Sequence, residues 1–395
     1  MENTITLLFF IALFLLFFTY FGYGAVIWIA VKIKEWRNPP GMLQLPEILP
    51  EVTLFISAYN EECMVDHKME NCLSLDYPRE KLKIYWVTDG STDKTNEKLA
   101  KYPEVITLFQ PERRGKTAAI NRGMRYVTTP FVVFTDANAM INRQAIKDLI
   151  KYFGDPKTGC VAGEKRILTD VKDVAASVGE GFYWRYESTL KELDARLCSA
   201  VGAAGELFAI RTGLYEDMRL DTLLDDFVLS LRIVRQGYRI AYCKNAYAME
   251  KASLNMEEEK KRKIRIAAGG LQAVSRFTEL MNIFRYGCFS YLYIHHRVMR
   301  WTVAPVVLLL LIPLNIALLC MDASPRWFIQ LFALLQALSY VAAVIGWYLD
   351  KKRIKMNFFY IPYYFLFMNL NIFSGIIYLF RFEGDAVWEK AKRSK

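Results

Sequence analysis

Several short stretches of this sequence end in side chains that could handle a phosphorylated ligand. Tyr59-Asn60-Glu61-Glu62 and Asp89-Gly90-Ser91-Thr92-Asp93 each follow an apolar run, Thr135-Asp136-Ala137-Asn138 closes a third, and Asp225-Asp226 opens a later helical pattern. Asp136 and Asn138 offer hard oxygen ligands of the kind that hold Mg²⁺ or Mn²⁺, ions that take one or two protein carboxylates and share the rest of their shell with substrate phosphates. Lys116 and the cations of Arg262-Lys263-Ile264-Arg265 could neutralise a departing diphosphate. A positioned carboxylate such as Asp226 could take the proton of an attacking hydroxyl. Each feature has a plainer reading. Strand ends carry Asp and Asn as turn residues, carboxylates in a first helical turn answer the macrodipole, and the charge run 257–265 reads as a solvated helix face.

The elements that must position these groups can be read from the apolar pattern. Runs at 52–57, 82–88, 105–109 and 131–134 have the length and composition of buried strands. Helices are expected at about 117–126, and from 223 to 236 with Gly237 closing the second. Strands alternating with helices imply an α/β, doubly wound, mostly parallel sheet. Its carboxyl-end loops share one edge, where ligands gather, so Asn60, Glu61, Asp89 and Asp136 should be neighbours. Between 154 and 211 the rhythm is less regular. A helix carrying Phe182, Tyr183, Trp184 and Tyr186 reads as a packed face or a substrate wall, and the small residues of Val201-Gly202-Ala203-Ala204-Gly205-Glu206 permit close backbone approach.

The rest of the chain is built for a membrane. Of its 395 residues 53% are hydrophobic, and no charged side chain interrupts 5–31, 302–320, 328–349 or 358–380. Such runs reach roughly the ~20 residues a helix needs to cross a hydrocarbon core of ~30 Å. The first is too long for a cleaved signal, and Lys32, Lys34 and Arg37 mark its cytoplasmic flank. The expected organisation is an anchor at 1–35, a cytosolic domain at 50–276, an interfacial amphipathic segment at 277–298, a membrane region at 299–382 and a basic tail at 383–395. That makes a multi-pass protein of the cell (plasma or inner) membrane. Whether the run 358–380 crosses is left open, because four crossings conflict with the basic tail. The formal net charge of +10 points to membrane lipid and phosphorylated substrates rather than nucleic acid. Seven cysteines without a Cys-x-x-Cys pair indicate neither a zinc knuckle nor a disulfide framework.

Taken together, these motifs, with Gly115-Lys116-Thr117-Ala118-Ala119-Ile120-Asn121 among them, resemble family 2 glycosyltransferases in order and spacing over about 52–272. The flanking helices look like the membrane-embedded branch that includes hyaluronan, chitin-oligosaccharide, cellulose and poly-N-acetylglucosamine synthases. The resemblance implies a GT-A fold inserted between transmembrane helices. It implies that Tyr59, Glu61 and Asp89 hold the nucleoside, with Lys116 and Arg262 near the nucleotide sugar. It also implies Asp136, with Asn138, as metal ligands on the diphosphate, Arg265 beside that diphosphate, and Asp226 as general base. The implied partners are a nucleotide-sugar donor and a glycan or lipid-linked acceptor. Attack opposite the leaving group inverts the anomeric centre. Three departures stand out: Asn138 replaces a second Asp, Leu224-Asp225-Asp226 replaces Thr-Glu-Asp, and Ile266 replaces a Trp that stacks on sugar in processive synthases. The departures at Asn138 and Ile266 leave a competing expectation, a catalytically silent nucleotide- or glycan-binding partner of another polysaccharide synthase.

Overall fold

The computed structural model describes residues 2–168, 174–321, 323–352, 354 and 356–381. β1 (Val52–Ala58), β2 (Leu82–Asp89), β3 (Val105–Gln110) and β4 (Phe131–Asp136) pair in parallel in the order β3-β2-β1-β4. β1, β2 and β4 are buried along most of their length, while β3 forms a half-exposed edge. Their apolar runs are what burial on both faces requires. The Phe134 ring stacks on Phe208 at 4.8 Å and tilts against Phe55 at 5.2 Å.

The second half of the sheet differs from the sequence expectation in direction. β5 (Met140–Ile141), β6 (Thr158–Leu168), β7 (Leu207–Arg211) and β8 (Arg239–Lys251) continue it as β4-β7-β6-β8-β5. β7 runs antiparallel to both β4 and β6, and β5 antiparallel to β8. Four of the seven pairings are parallel, so the α/β sheet is mixed and mostly parallel. The register aligns the ends that matter: Ser57 lies opposite Val87 on one side and Asp136 on the other. The loops after β1, β2 and β4 therefore converge.

The helix expected at about 117–126 runs Lys116–Met124, and the one expected at 223–236 runs Asp225–Arg235, with Gly237 at φ 91° just past its end. Among the described residues four helices are long and apolar enough to cross a membrane: Glu2–Arg37, Val303–Cys320, Arg326–Lys351 and Phe358–Arg381. The last run is one continuous helix through Pro362. The stretch expected as a single interfacial helix is instead a series of short helical pieces broken at Gly287, where φ is +54°. Phe284 is fully exposed there while Phe289, Leu292 and Tyr293 are buried. The basic tail 383–395 falls outside the described residues.

The charge run 257–265 is solvated on one side only, at Glu257 and Lys260. It lies on the helix Met256–Arg276, with Glu258, Glu259, Arg262 and Lys263 all buried. Glu259 accepts from Arg262 Nε at 2.9 Å, pairs with Lys263 at 3.7 Å and accepts from the Tyr364 hydroxyl of the last helix at 2.6 Å. Burial alone would push its pKa up, but Arg262 and Lys263 outweigh that and hold the carboxyl well below the usual range. Charges persist in such a place only when paired.

Candidate active site

The cleft at the sheet edge is held together by contacts between loops. Asp89, at the end of β2, accepts from the backbone N–H of Arg114 at 3.0 Å and of Gly115 at 2.7 Å, which pins the loop leading to Lys116. That approach requires Gly90: its φ is +67°, and a Cβ there would sit 2.6 Å from the Arg113 nitrogen. Asn60, at φ 51°, accepts from the Thr92 N–H at 2.8 Å, while its own N–H donates to Ser91 Oγ at 3.1 Å. The Arg113 guanidinium lies 3.8 Å from the Tyr59 ring centroid, a cation–π contact.

These contacts assemble a cleft of about 220 Å³ lined by Tyr59, Glu61, Asp89, Lys116, Asp136 and Asn138 from one side, and by Asp225, Arg262 and Arg265 from the other. Every donor-side residue expected from the sequence is therefore brought to one place. Arg265 Nε is buried there without a protein partner, so an anionic ligand would supply its missing acceptor. Asp226 does not share that lining. It is Asp225 that turns into the cleft, 3.4 Å from Lys116 Nζ, while Lys116 also donates to Asp136 Oδ1 at 2.8 Å. Burial opposes the charged form of Lys116, but Asp136 and Asp225 outweigh it and hold the ammonium well above its ordinary range.

Asp226 sits behind this pair, facing Gly205. A Cβ at Gly205 would lie 3.4 Å from Asp226 Oδ2 and 3.5 Å from Lys116 Nζ, so the glycine leaves space where carboxylate and ammonium meet. Burial first, then the neighbouring Asp225, lift the Asp226 pKa to about 6. A carboxylate tuned there is ionised at neutral pH and basic enough to accept a proton.

The donor set fits a divalent ion that arrives with its ligand. Asp136 and Asn138 both line the cleft, and Asn138 Nδ2 donates to Glu250 Oε1 at 3.2 Å, which leaves the amide oxygen as the atom available to a cation. Among the described residues no group of three or more His, Cys, Asp or Glu side chains converges on one metal position. Two protein oxygens completed by phosphate oxygens and water make a reasonable Mg²⁺ or Mn²⁺ shell.

Other residues of the region carry no sequence signal that would have singled them out. Lys68, fully buried on the helix Val65–Leu73, donates to Thr135 Oγ1 at 3.0 Å and to the Ala139 carbonyl, and so braces the loop carrying Asp136 and Asn138. Lys165 bridges Glu206 and Glu250, the latter at 2.6 Å. Glu187 gathers Arg297 at 2.5 Å and Arg300 at 3.1 Å, and His296 pairs with Asp194 at 2.5 Å. His296 is thus part of a carboxylate network. Ile266 faces away from the donor cleft and, with Tyr183 and Tyr186, lines a second cavity among the membrane helices.

A sheet whose carboxyl-end loops bring carboxylates and cations around one cleft has the design of a GT-A fold. The family described as glycosyltransferase like family 2 matches residues 50–269, more than half of the chain, and the protein belongs to that family. Among curated relatives, the poly-beta-1,6-N-acetyl-D-glucosamine synthase of Staphylococcus aureus (strain MSSA476) is 27% identical over 238 residues, covering 58% of this chain and 56% of the relative. The chain therefore spans little more than half the length of that relative. The fold is also that of a mannosyltransferase from Pyrobaculum calidifontis, solved with GDP-Man and Mn²⁺. It aligns at a TM-score of 0.70 and 23% identity over 94% of this chain and 99% of its own.

Proposed function

We propose that the protein is an inverting glycosyltransferase that moves a hexose or N-acetylhexosamine from a nucleotide sugar, with UDP the favoured carrier, to a glycan or lipid-linked acceptor at the cytoplasmic face of the cell membrane. The observation that carries this reading is the placement of Asp226: a half-buried carboxylate, raised to about 6, facing Gly205 next to the ammonium of Lys116 in a cleft that Arg262 and Arg265 also line. In this reading Tyr59, Glu61 and Asp89 border the nucleoside. Lys116, Arg262 and Arg265 neutralise the charge that builds on the diphosphate as it departs. Asp226 holds the acceptor hydroxyl and takes its proton while the oxygen attacks C1 from the face opposite the leaving group, so an α-linked donor gives a β-linkage. Asp136 and Asn138 would hold Mg²⁺ or Mn²⁺, which supplies Lewis-acid neutralisation of the diphosphate. The organisation fits this role: an anchor at 1–35, a cytosolic transferase domain at 50–276, an interfacial segment at 277–298 and membrane helices to 382, a multi-pass arrangement in contact with membrane lipid.

The test is turnover by the purified full chain of a panel of UDP- and GDP-sugars, wild type beside Asp226→Asn. The expected result is consumption of one donor class by wild type and a collapse of transfer in the variant with donor binding retained. Transfer by Asp226→Asn at near wild-type rate would overturn the assignment.

A further inference from the structure

We infer that Glu250 is a positioning residue for the cation site: it holds the Asn138 amide with its oxygen toward the donor cleft, and it is the reason an amide rather than a carboxylate stands at 138. The inference rests on the transferase reading, with Asp136 and Asn138 as cation ligands, and adds a residue to that site.

Strand pairing brings the two residues together. β5 and β8 run antiparallel with Met140 opposite Met249, so the chain just before Met140 passes beside the chain just after Met249. Tyr247 locks that register: its N–H donates to Asn142 Oδ1 at 2.8 Å, and its carbonyl accepts from the Asn142 N–H at 3.1 Å. Asn138 Nδ2 then donates to Glu250 Oε1 at 3.2 Å, and both residues line the donor cleft.

The main chain that carries Asn138 is held as well. The Ala139 N–H donates to the Asp136 carbonyl at 3.2 Å, closing a turn over Ala137 and Asn138. The Lys68 ammonium braces this turn, donating to the Ala139 carbonyl and to Thr135 Oγ1 at 3.0 Å. With the backbone fixed, what remains to be set at Asn138 is the direction of its amide. An ionised carboxylate only accepts, so Glu250 requires the NH₂ on its own side and leaves the carbonyl oxygen for the cleft.

Glu250 is held in turn through its other oxygen. Oε2 accepts from Lys165 Nζ at 2.6 Å, and Lys165 also donates to Glu206 Oε1. Glu250 is 2% exposed and Lys165 4%, so the contacts that run from Glu206 through Lys165 and Glu250 to Asn138 lie inside the protein. Outer partners of this kind orient a metal ligand and commonly carry ~10- to 100-fold in metal affinity.

The same contact excludes an aspartate at 138. Its carboxylate would put an oxygen where the Asn138 amide nitrogen now stands, 3.2 Å from Glu250 Oε1, and two carboxylates so close do not both stay ionised. The amide removes that repulsion and keeps one hard oxygen for a cation. Asn138 and Glu250 are therefore a matched pair. In Glu250→Gln the new amide oxygen stays with the Lys165 ammonium and its nitrogen turns to Asn138. Asn138 must then flip, which presents NH₂ to the cleft and withdraws the oxygen. In the double variant Asn138→Asp with Glu250→Gln, the aspartate accepts from that glutamine and offers its second oxygen to the cleft.

The experiment uses the full chain in detergent and follows free Mn²⁺ by electron paramagnetic resonance with UDP or GDP present, which reads binding without turnover. Wild type should retain Mn²⁺ with the nucleotide, and Asp136→Asn should lose it. Glu250→Gln should weaken retention ~10- to 100-fold, and the double variant should recover to within a few-fold of wild type. Glu206→Gln removes a charge from the same lysine without touching Asn138, and should also stay within a few-fold. Thermal unfolding without metal or nucleotide reads the pair itself: Asn138→Asp should unfold several degrees lower, and the double variant should recover. Retention by Glu250→Gln equal to wild type, a double variant as weak as Glu250→Gln, or Asn138→Asp as stable as wild type would each overturn the inference. A loss in Glu206→Gln as deep as in Glu250→Gln would overturn it too, by making the effect one of charge and not of orientation. If wild type retains no Mn²⁺ with either nucleotide, or Asp136→Asn loses none, the cation assignment falls and this inference with it. If Mn²⁺ is retained as expected while no donor of the panel is consumed, it is the transferase reading that falls.

Discussion

The donor cleft and the membrane cavity lie on adjoining faces of one helix, Met256–Arg276, yet they are built on opposite principles. The cleft is small and polar, with Asp136, Asp225 and Lys116 arranged to meet a charged ligand. The cavity is large and mainly apolar, with Lys263, His296, Arg297 and Arg300 in its lining. The cleft presents charge to a water-borne ligand, and the cavity presents mainly aliphatic and aromatic carbon. Asp226 lines neither space: it lies next to Asp225 and faces Gly205, and partial burial with the Asp225 charge lifts its pKa although Lys116 stands close by.

The sharpest way to break this comparison is at Asp226. Asp226→Asn should lower transfer by ~10² to 10⁴, the usual worth of a positioned general base, with donor binding unchanged in a calorimetric titration. Arg265→Gln acts on the donor side alone, and loss of one charge-stabilising donor should cost about 10² in kcat, read in the same turnover assay. A pH profile tests the tuning of Asp226. Because the base works when ionised and its folded pKa is raised to about 6, kcat/KM should be level above that value and fall roughly tenfold per pH unit below it. An acidic limb near pH 4 would mean that Asp226 is not the group whose ionisation limits the rate. The smallest effect is expected from Tyr364→Phe, which removes one hydrogen bond to Glu259 and should cost about 1.5 to 3 kcal/mol of stability, measured by thermal unfolding in detergent.

Much of the cleft was legible in the sequence because its signals are local. An apolar run that stops at Asp89 or Asp136 announces both the strand and the group at its end, and parallel pairing does the rest. Other features escaped because they depend on partners far along the chain. The sequence pattern at 225–226 places two carboxylates at a helix start, but only the fold reveals that Asp225 turns toward Lys116 while Asp226 faces Gly205. The run 257–265 reads as solvated until the last helix is seen to cover it with Tyr364. Arg297 and Arg300 look like the basic flank of a membrane segment, and their counter-charge, Glu187, lies more than a hundred residues earlier in a stretch of weak periodicity. The reversed direction of β7 left no mark on composition, since an apolar pentapeptide serves either orientation.

The contact between Tyr364 and Glu259 has a companion: a Cβ at Gly375 would lie 2.6 Å from Ala267 Cβ, so the last helix and the arginine-bearing helix touch at backbone distance. The last helix is therefore packed into the same body as the helix that carries Arg262 and Arg265. Grafting residues 50–276 onto a foreign anchor would strip Glu259 of its phenol and uncover the flank of Ala267, leaving a fragment rather than a transplantable module. Substitutions in the two helices should consequently be inherited as matched pairs, with a larger residue at 375 admitted only where 267 has retreated.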